Sequence, residues 1–271
     1  MKDKVFVYID GKRYEAFEGE MLLDVAKRNG IDIPALCYEK SLGAYGACRL
    51  CMVEVIEGAK KGIVTSCTLA CNNGLSVLTR TDKIKKHRSV LFELYLAQAP
   101  GSERLRQLAA HYGVQNTRFK TNKKDNDPLN NSCVLCGLCV RACSQAMGAG
   151  AISFIGRGYK TRVNTPYFEE SQVCLGCRAC LEVCPTGAIE IHDEGSVRVM
   201  KSWSDTRVGL KKCSVCGRYY TPQAVDKKVY SLFYYADKDE VLKDMCPECR
   251  KKYITKKATL IAEKEVERYA K

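Results

Sequence analysis

Alternation of apolar and polar positions marks the first elements of the chain. VFVYIDGKRYEAF (5–17) alternates on both sides of Asp10-Gly11, which predicts a hairpin with a type I′ turn. EMLLDVAKRNG (20–30) changes to a helical period and closes on Gly30, suited to the left-handed C′ position. MVEVIEG (52–58) reads as strand again. Farther on, Ile84, His87, Leu91 and Leu94 recur at helical spacing with Val90 and Ala97 alongside, a helix with one buried face ending near Pro100. Ser102 can cap a second helix, with Leu105, Leu108, Ala109 and Tyr112 inward and Gly113 at its end. PTGAIEI (185–191) and the tyrosine-rich VYSLFYYAD (229–237) read as strands. RKKYITKKATLIAEKEVERYAK (250–271) reads as an amphipathic helix with Ile254, Leu260, Ile261 and Val266 on one side and its basic residues solvated.

Composition changes the picture through sulfur. Seventeen of 271 residues are cysteine. No apolar core of signal-peptide length opens the sequence and no run reaches the length of a membrane span, so a cytoplasmic location is expected. In that reducing setting clustered cysteines bind metal more often than they pair. The formal charge of +13 suggests nucleic acid. That sum counts cysteines as neutral, however, and four sites of about −2 each would bring it to roughly +5. The basic excess is thus read as an offset for cluster charge.

The cysteines fall into three groups around a silent stretch, 72–132. The first, Cys37, Cys48, Cys51 and then Cys67 or Cys71, suits a [2Fe–2S] site, with three ligands on a glycine-bearing loop and the fourth arriving from later in the chain. The second repeats C-x2-C-x2-C-x3-C: Cys133, Cys136, Cys139 and Cys143, then Cys174, Cys177, Cys180 and Cys184. Short spacing lets one loop wrap a cubane, with Gly137 and Gly176 admitting the backbone close to it. In two-cluster ferredoxins the fourth cysteine of each run serves the other cluster. One [4Fe–4S] is therefore assigned to Cys133, Cys136, Cys139 and Cys184, the other to Cys174, Cys177, Cys180 and Cys143. Ser144 stands where the bacterial pattern has proline after the fourth cysteine; Pro185 keeps it. The third group, Cys213, Cys216, Cys246 and Cys249, forms two C-x2-C knuckles of zinc-ribbon type, with a rubredoxin-type iron as the alternative.

The segment GACRLCMVEV, with the double-cluster repeat, resembles the N-terminal region of the complex I large iron–sulfur subunit. Diaphorase small subunits of NAD-linked hydrogenases and the ferredoxin modules of iron-only hydrogenases share it. The C-x10-C-x2-C spacing differs from the plant-type C-x4-C-x2-C. The resemblance covers about residues 3–195 and implies a β-grasp fold for the first domain. In the family a cysteine stands several residues before a Gly-hydrophobe-x-Val-x-Thr strand. TSCTLACNNGLSVLT places Cys67 there, which leaves Cys71 a small buried hydrophobe. In many relatives the connector's first helix ends in His-Pro and, with three following cysteines, holds an extra [4Fe–4S]. Here the step is Ala99-Pro100, no thiol follows, and His111 lacks companions, so the connector is expected to lack that cluster.

The expected fold class is α+β and multidomain: a [2Fe–2S] β-grasp domain (1–80), a helical connector (81–128), a two-[4Fe–4S] ferredoxin domain (129–195), a zinc-ribbon-like domain (205–253) and a basic helical tail (254–271). No G-x-G-x-x-G opens a helix after a strand and no P-loop occurs, so no catalytic residue is assigned. The expected function is electron transfer within a cytosolic multisubunit NAD(P)-linked oxidoreductase: a hydrogenase, a formate dehydrogenase or a flavin-based electron-bifurcating complex. Expected partners are a flavoprotein NAD(P)-binding subunit and a further redox or catalytic subunit, with soluble ferredoxin as another; no membrane partner is expected. The alternative is an iron–sulfur and zinc protein that senses redox state or binds nucleic acid.

Overall fold

The computed structural model describes residues 3–121, 128–232, 242 and 244–269. The chain divides into two compact units, Met1–Asn164 with Ala179–Ile189, and Thr165–Arg178 with Glu190–Lys271.

The first unit begins with the hairpin, β1 (Lys4–Ile9) and β2 (Lys12–Phe17), joined by Asp10 and Gly11 at φ 49° and 79°. Both positive angles are those a type I′ turn requires. Helix α1 (Leu22–Arg28) buries Leu22, Leu23, Val25 and Ala26 and ends before Gly30 at φ 70°. Strands β3 (Met52–Glu57), β4 (Gly62–Thr65) and β5 (Ser76–Leu78) complete a five-stranded sheet in the order β2-β1-β5-β3-β4. β5 runs parallel to β1 and antiparallel to β3, so the end of the domain is threaded through its middle. Val5, Val7, Ile9, Val53, Val55 and Val77 face one core with α1.

Helices α2 (Asp82–Gln98) and α3 (Glu103–His111) form the connector. Thr81 and Ser102 cap them by accepting from the N–H groups of Ile84 and Leu105. Ala99, pushed out of helical geometry by the following proline, separates them. α3 buries Leu105 and Ala109 as its spacing predicts. The face of α2 differs from the expected one: Ile84, Arg88, Phe92, Leu96 and Ala97 are buried, while His87 and Leu94 are exposed. The reason is Arg88, a cation turned inward onto two backbone carbonyls. After the short α4 (Pro128–Ser132) comes α5 (Leu138–Arg141), which runs into a π-turn, Ala142–Ala146, and then the hairpin β6 (Ser153–Ile155) and β7 (Arg162–Asn164). Helix α6 (Ala179–Glu182) also belongs to this unit.

The second unit is built on an antiparallel four-stranded sheet, β11-β10-β9-β8, from β8 (His192–Glu194), β9 (Val197–Met200), β10 (Thr206–Lys212) and β11 (Tyr219–Pro222). The strand expected over 185–191 starts instead at His192; Ala188, Ile189 and Ile191 are buried without joining a ladder. A second correction concerns 229–237. Residues 229–232 belong to helix α7 (Gln223–Leu232), and the rest of that expected strand lies outside the described residues. QAVDKKVYSL has helical period, which outweighed the β propensity of its tyrosine. The tail is helical as expected, α8 (Pro247–Tyr269), with Ile254 half exposed; the side chains of Leu260, Ile261 and Val266 lie outside what is described. Among the described residues no helix is long and apolar enough to cross a membrane.

Candidate metal centres

The first set of cysteines is carried on two loops of the β-grasp sheet. Cys37 follows α1, Cys48 and Cys51 precede β3, and Cys67 occupies the turn after β4; all four are buried. Arg49, inside the C-x2-C, takes φ 59° so that the loop can curl around its sulfurs. The N–H of Cys48 donates to Cys37 Sγ (3.3 Å) and that of Leu36 to Cys48 Sγ (3.4 Å). The contact between Cys37 and Cys48 lowers Cys37 to about 6, helped by the amides of Cys48 and Ala47. The same contact, with burial, drives Cys48 up. Cys51 and Cys67 form a second pair: Cys51 falls to about 6 through Cys67, whose own thiol rises. Two pairs of buried sulfurs, with backbone donors aimed at Cys37 and Cys48, are a donor set that fits a [2Fe–2S] cluster. Cys71 sits in the core of the sheet, its thiol pushed up to about 12, mainly by burial and next by the charge of Glu20.

The first C-x2-C-x2-C-x3-C run wraps a tight loop. Leu135 and Gly137 both have positive φ, 53° and 77°, and Leu135 N–H donates to Cys133 Sγ (3.4 Å). Burial raises Cys139, and after it the charges of Cys136, Cys133, Cys184 and Cys180 oppose a thiolate there. Cys136 is raised to about 12 mainly by burial, with Cys133 and Cys184 again among its neighbours. Cys184 thus lies within electrostatic reach of Cys136 and Cys139, as Cys180 does of Cys139. Ser102 Oγ donates to Thr186 O (2.8 Å) and Arg104 Nη1 to Cys184 O (3.3 Å), so α3 of the connector holds the Cys184 turn. Four half-buried to buried sulfurs with an amide donor are a set that fits a cubane. Cys143 lies in the π-turn and accepts from Ala151 N–H (3.3 Å). Ser144 explains that turn: its Oγ donates to Val140 O (2.9 Å), and without a proline the helix continues through Cys143.

In the second unit Cys174 and Cys177 enclose Gly176 at φ 65°, with Arg178 following at 67°. These are the two positions at which the first run carries Leu135 and Gly137. The repeat thus extends to backbone conformation, with the glycine placed at a different one of the two sites. Arg198 holds this loop: Nη1 donates to Gly176 O (2.8 Å), while Nε and Nη2 pair with Asp193 (2.6 and 2.8 Å). Cys180 stands in α6 of the first unit.

Cys213, Cys216, Cys246 and Cys249 come together, their sulfurs within 4.8 Å of one another. A tetrahedral ion about 2.3 Å from each sulfur sets sulfurs about 3.8 Å apart; Cys216 and Cys246 Sγ are 3.8 Å apart. The first knuckle turns the β10–β11 hairpin, with Gly217 at φ 72°. The second opens α8, placing Cys246 and Cys249 at a helix N-terminus that favours anionic sulfur. Backbone N–H groups of Cys216 and Cys246 lower Cys213 to about 6. Lys211, at the end of β10, pairs with Asp226 of α7 (2.6 Å) and Asp244 (2.9 Å), locking the two knuckles in register.

Sequence reasoning missed the arginines that support these loops, Arg88, Arg141 and Arg198, and also Tyr95, whose hydroxyl donates to Cys48 O (3.1 Å). One signal was available: Arg88 lies four residues after Ile84 and four before Phe92, on a stripe otherwise apolar.

Comparison with known proteins agrees with this layout. Residues 2–82 match the 2Fe-2S iron-sulfur cluster binding domain and residues 132–188 the 4Fe-4S dicluster domain. The chain is 33% identical over 204 residues to an NADH-quinone oxidoreductase subunit of Rhizobium meliloti (strain 1021), covering 68% of this chain and 23% of that protein. It is 31% identical over 213 residues to NADP-reducing hydrogenase subunit HndD of Solidesulfovibrio fructosivorans, 69% of this chain and 36% of that protein. It therefore spans about a quarter to a third of these curated relatives. Among solved structures, a chain of NAD+-reducing [NiFe]-hydrogenase in the H2-reduced state aligns with a TM-score of 0.58 at 29% identity, over 68% of this chain and 85% of that one. With a 2Fe-2S domain followed by a 4Fe-4S dicluster domain, the chain belongs to the family of iron–sulfur subunits that includes the complex I large subunit and those of NAD(P)-linked hydrogenases.

Proposed function

We propose that this chain is an electron-transfer subunit of a multisubunit NAD(P)-linked oxidoreductase in the cytoplasm, passing single electrons between a flavoprotein partner and a second redox subunit or ferredoxin. The observation that carries the reading is the pairing of the two ferredoxin-type domains with a helical connector that reaches both: α2 holds the Cys51 loop and α3 the Cys184 turn. The relatives' names, which speak of NADH, NADP and hydrogenase, support the same class of complex.

The ligand sets are Cys37, Cys48, Cys51 and Cys67 for one [2Fe–2S]; Cys133, Cys136, Cys139 and Cys184 for one [4Fe–4S]; and Cys174, Cys177, Cys180 and Cys143 for the other. Iron–sulfur clusters supply one-electron storage and transfer when bound. The chain's residues do the rest. Leu36, Cys48, Leu135 and Ala151 direct N–H groups at sulfur, stabilising anionic charge, and buried apolar side chains exclude water from the first site. Cys213, Cys216, Cys246 and Cys249 form a zinc site that ties a β-hairpin knuckle to a helix N-terminus, a structural staple for the second unit.

Native purification with partners identified and metals counted tests the proposal. About ten irons and about one zinc per chain are expected, with a copurifying flavoprotein through which NAD(P)H reduces the clusters. About eleven irons without zinc would make the last site a rubredoxin-type iron. A chain isolated alone that binds DNA or RNA in a salt-dependent way would overturn the electron-transfer reading.

A further inference from the structure

Two guanidinium groups are buried against the [2Fe–2S] loops. Arg88 of α2 is 5% exposed; its Nε donates to Leu50 O (3.0 Å) and its Nη2 to Met52 O (2.7 Å). Those carbonyls flank Cys51. Arg141 is 9% exposed and lies between Cys139 and Cys143 in the first cubane run, yet its Nη2 donates to Leu42 O and Gly43 O, in the loop between Cys37 and Cys48. The Arg141 guanidinium stands 4.9 Å from the Tyr45 ring centroid, and its Nη1 is buried with no hydrogen-bond partner. Neither arginine forms an ion pair with a carboxylate among the described residues.

A buried arginine stays charged, because its pKa lies beyond reach. Leaving that charge unpaired in a dry pocket is strongly unfavourable. Backbone carbonyls satisfy the N–H groups but offer only partial charge. Sulfur is among the anions each guanidinium faces: Cys51 acts on Arg88, as does Asp32 more weakly, and Cys37 feels Arg141. Four thiolates around an oxidised [2Fe–2S] carry a net charge of about −2, and the reduced cluster carries one unit more. A fixed cation nearby favours the reduced form, which raises the potential.

From this geometry we infer that Arg88 and Arg141 are the counter-ions of the [2Fe–2S] site and set its potential. Neither is a ligand: both act on the cluster by their charge, held behind the Cys37–Cys48 and Cys51 loops by the backbone carbonyls. This rests on the assignment of a [2Fe–2S] cluster to these cysteines. Arg141 gives the arrangement a further consequence: the residue that tunes the [2Fe–2S] site is delivered by the cubane run, so folding of the second module completes the electrostatics of the first.

The test is a redox titration of the purified, cluster-loaded full chain, followed by electron paramagnetic resonance. Arg88→Gln and Arg141→Gln are each expected to lower the electron affinity of the [2Fe–2S] cluster at least tenfold, a shift of about 59 mV for a one-electron couple. Arg88→Lys and Arg141→Lys, which keep the charge but lose the fork, should recover most of that shift. The surface variant Arg106→Gln should leave the potential unchanged. A normal [2Fe–2S] signal at the wild-type potential in both Gln variants would overturn the inference. So would Lys variants shifted as far as the Gln variants, because that pattern marks lost packing rather than lost charge. Where a Gln variant holds no iron, the Lys variant decides, its potential being unshifted if the inference holds and shifted if it does not. Absence of a [2Fe–2S] signal from the wild-type chain would instead defeat the cluster assignment itself.

Discussion

Replacing Ser102 by alanine should loosen the grip of the connector on the Cys184 turn. Ser102 is buried and its hydroxyl serves two elements at once: Oγ accepts from Leu105 N–H (3.2 Å), capping α3, and donates to Thr186 O (2.8 Å). Loss of an N-cap costs about 1 kcal/mol. The Thr186 carbonyl, left buried without a donor, adds about 1–3 kcal/mol. The two together amount to about 2–4 kcal/mol, or roughly a 30- to 700-fold increase in the opening equilibrium of α3 and the turn it holds. Native-state amide hydrogen exchange on the cluster-loaded chain reads this directly. Exchange over 102–112 and 184–189 should accelerate by that factor, while the β1–β2 hairpin, which shares no partner with Ser102, keeps its rate. An acceleration below about threefold in those two segments, or an equal one in the hairpin, would refute the reasoning.

Other outcomes follow from the same structure. Gly176→Ala puts a Cβ 3.0 Å from Pro222 Cγ and 3.2 Å from Val208 Cβ at φ 65°. It should cost about 1–3 kcal/mol and lower iron per chain, measured by thermal melting and iron assay. Leu135→Gly, at the matching position of the other run, should be neutral or stabilising by up to about 1 kcal/mol. The Arg198 guanidinium holds the Asp193 carboxyl below the usual range, so its contribution is present above about pH 4 and is lost as pH falls through the lower folded value. Asp193→Asn should flatten the acid limb below about pH 4 in an unfolding curve read by fluorescence of Trp203, with a loss near neutral pH of about 1–3 kcal/mol, because the buried Arg198 loses its carboxylate partner. Cys67→Ser should remove about two irons and the [2Fe–2S] signal, whereas Cys71→Ala should keep both and cost about 1 kcal/mol of stability. Unchanged iron in Cys67→Ser would send the fourth-ligand question back to Cys71.

Much of this protein was legible in the order of its residues. Patterns closed by a local signal translated directly: Asp10-Gly11 made the hairpin, Gly30 ended α1, and Ser102 capped α3, because each depends on φ angles or on a hydrogen bond three residues away. The errors came where distant partners decided. Within the sequence of α2 the only sign that Arg88 turns inward is its place between Ile84 and Phe92 on the apolar stripe; its acceptors are carbonyls 38 and 36 residues earlier in the chain. At 229–232 the expected strand gave way to a helix because local period outweighed the tyrosine count, and the exit strand began late because a ladder needs a partner, which β9 offers only from His192 onward.

What the sequence determined by itself was chemistry, since sulfur ligands at short spacing can close around a metal whatever surrounds them. The two C-x2-C-x2-C-x3-C runs and the two knuckles are loops whose geometry is local. Only the tertiary structure decided which cysteines meet across long separations. It brought Cys67 to Cys51, set Cys184 near Cys136 and Cys139, and drew the two knuckles within 4.8 Å through a hairpin and a helix N-terminus. It also placed the buried arginines. A charge can enter a dry pocket only when the whole fold supplies its partners, and no stretch of sequence carries that information alone.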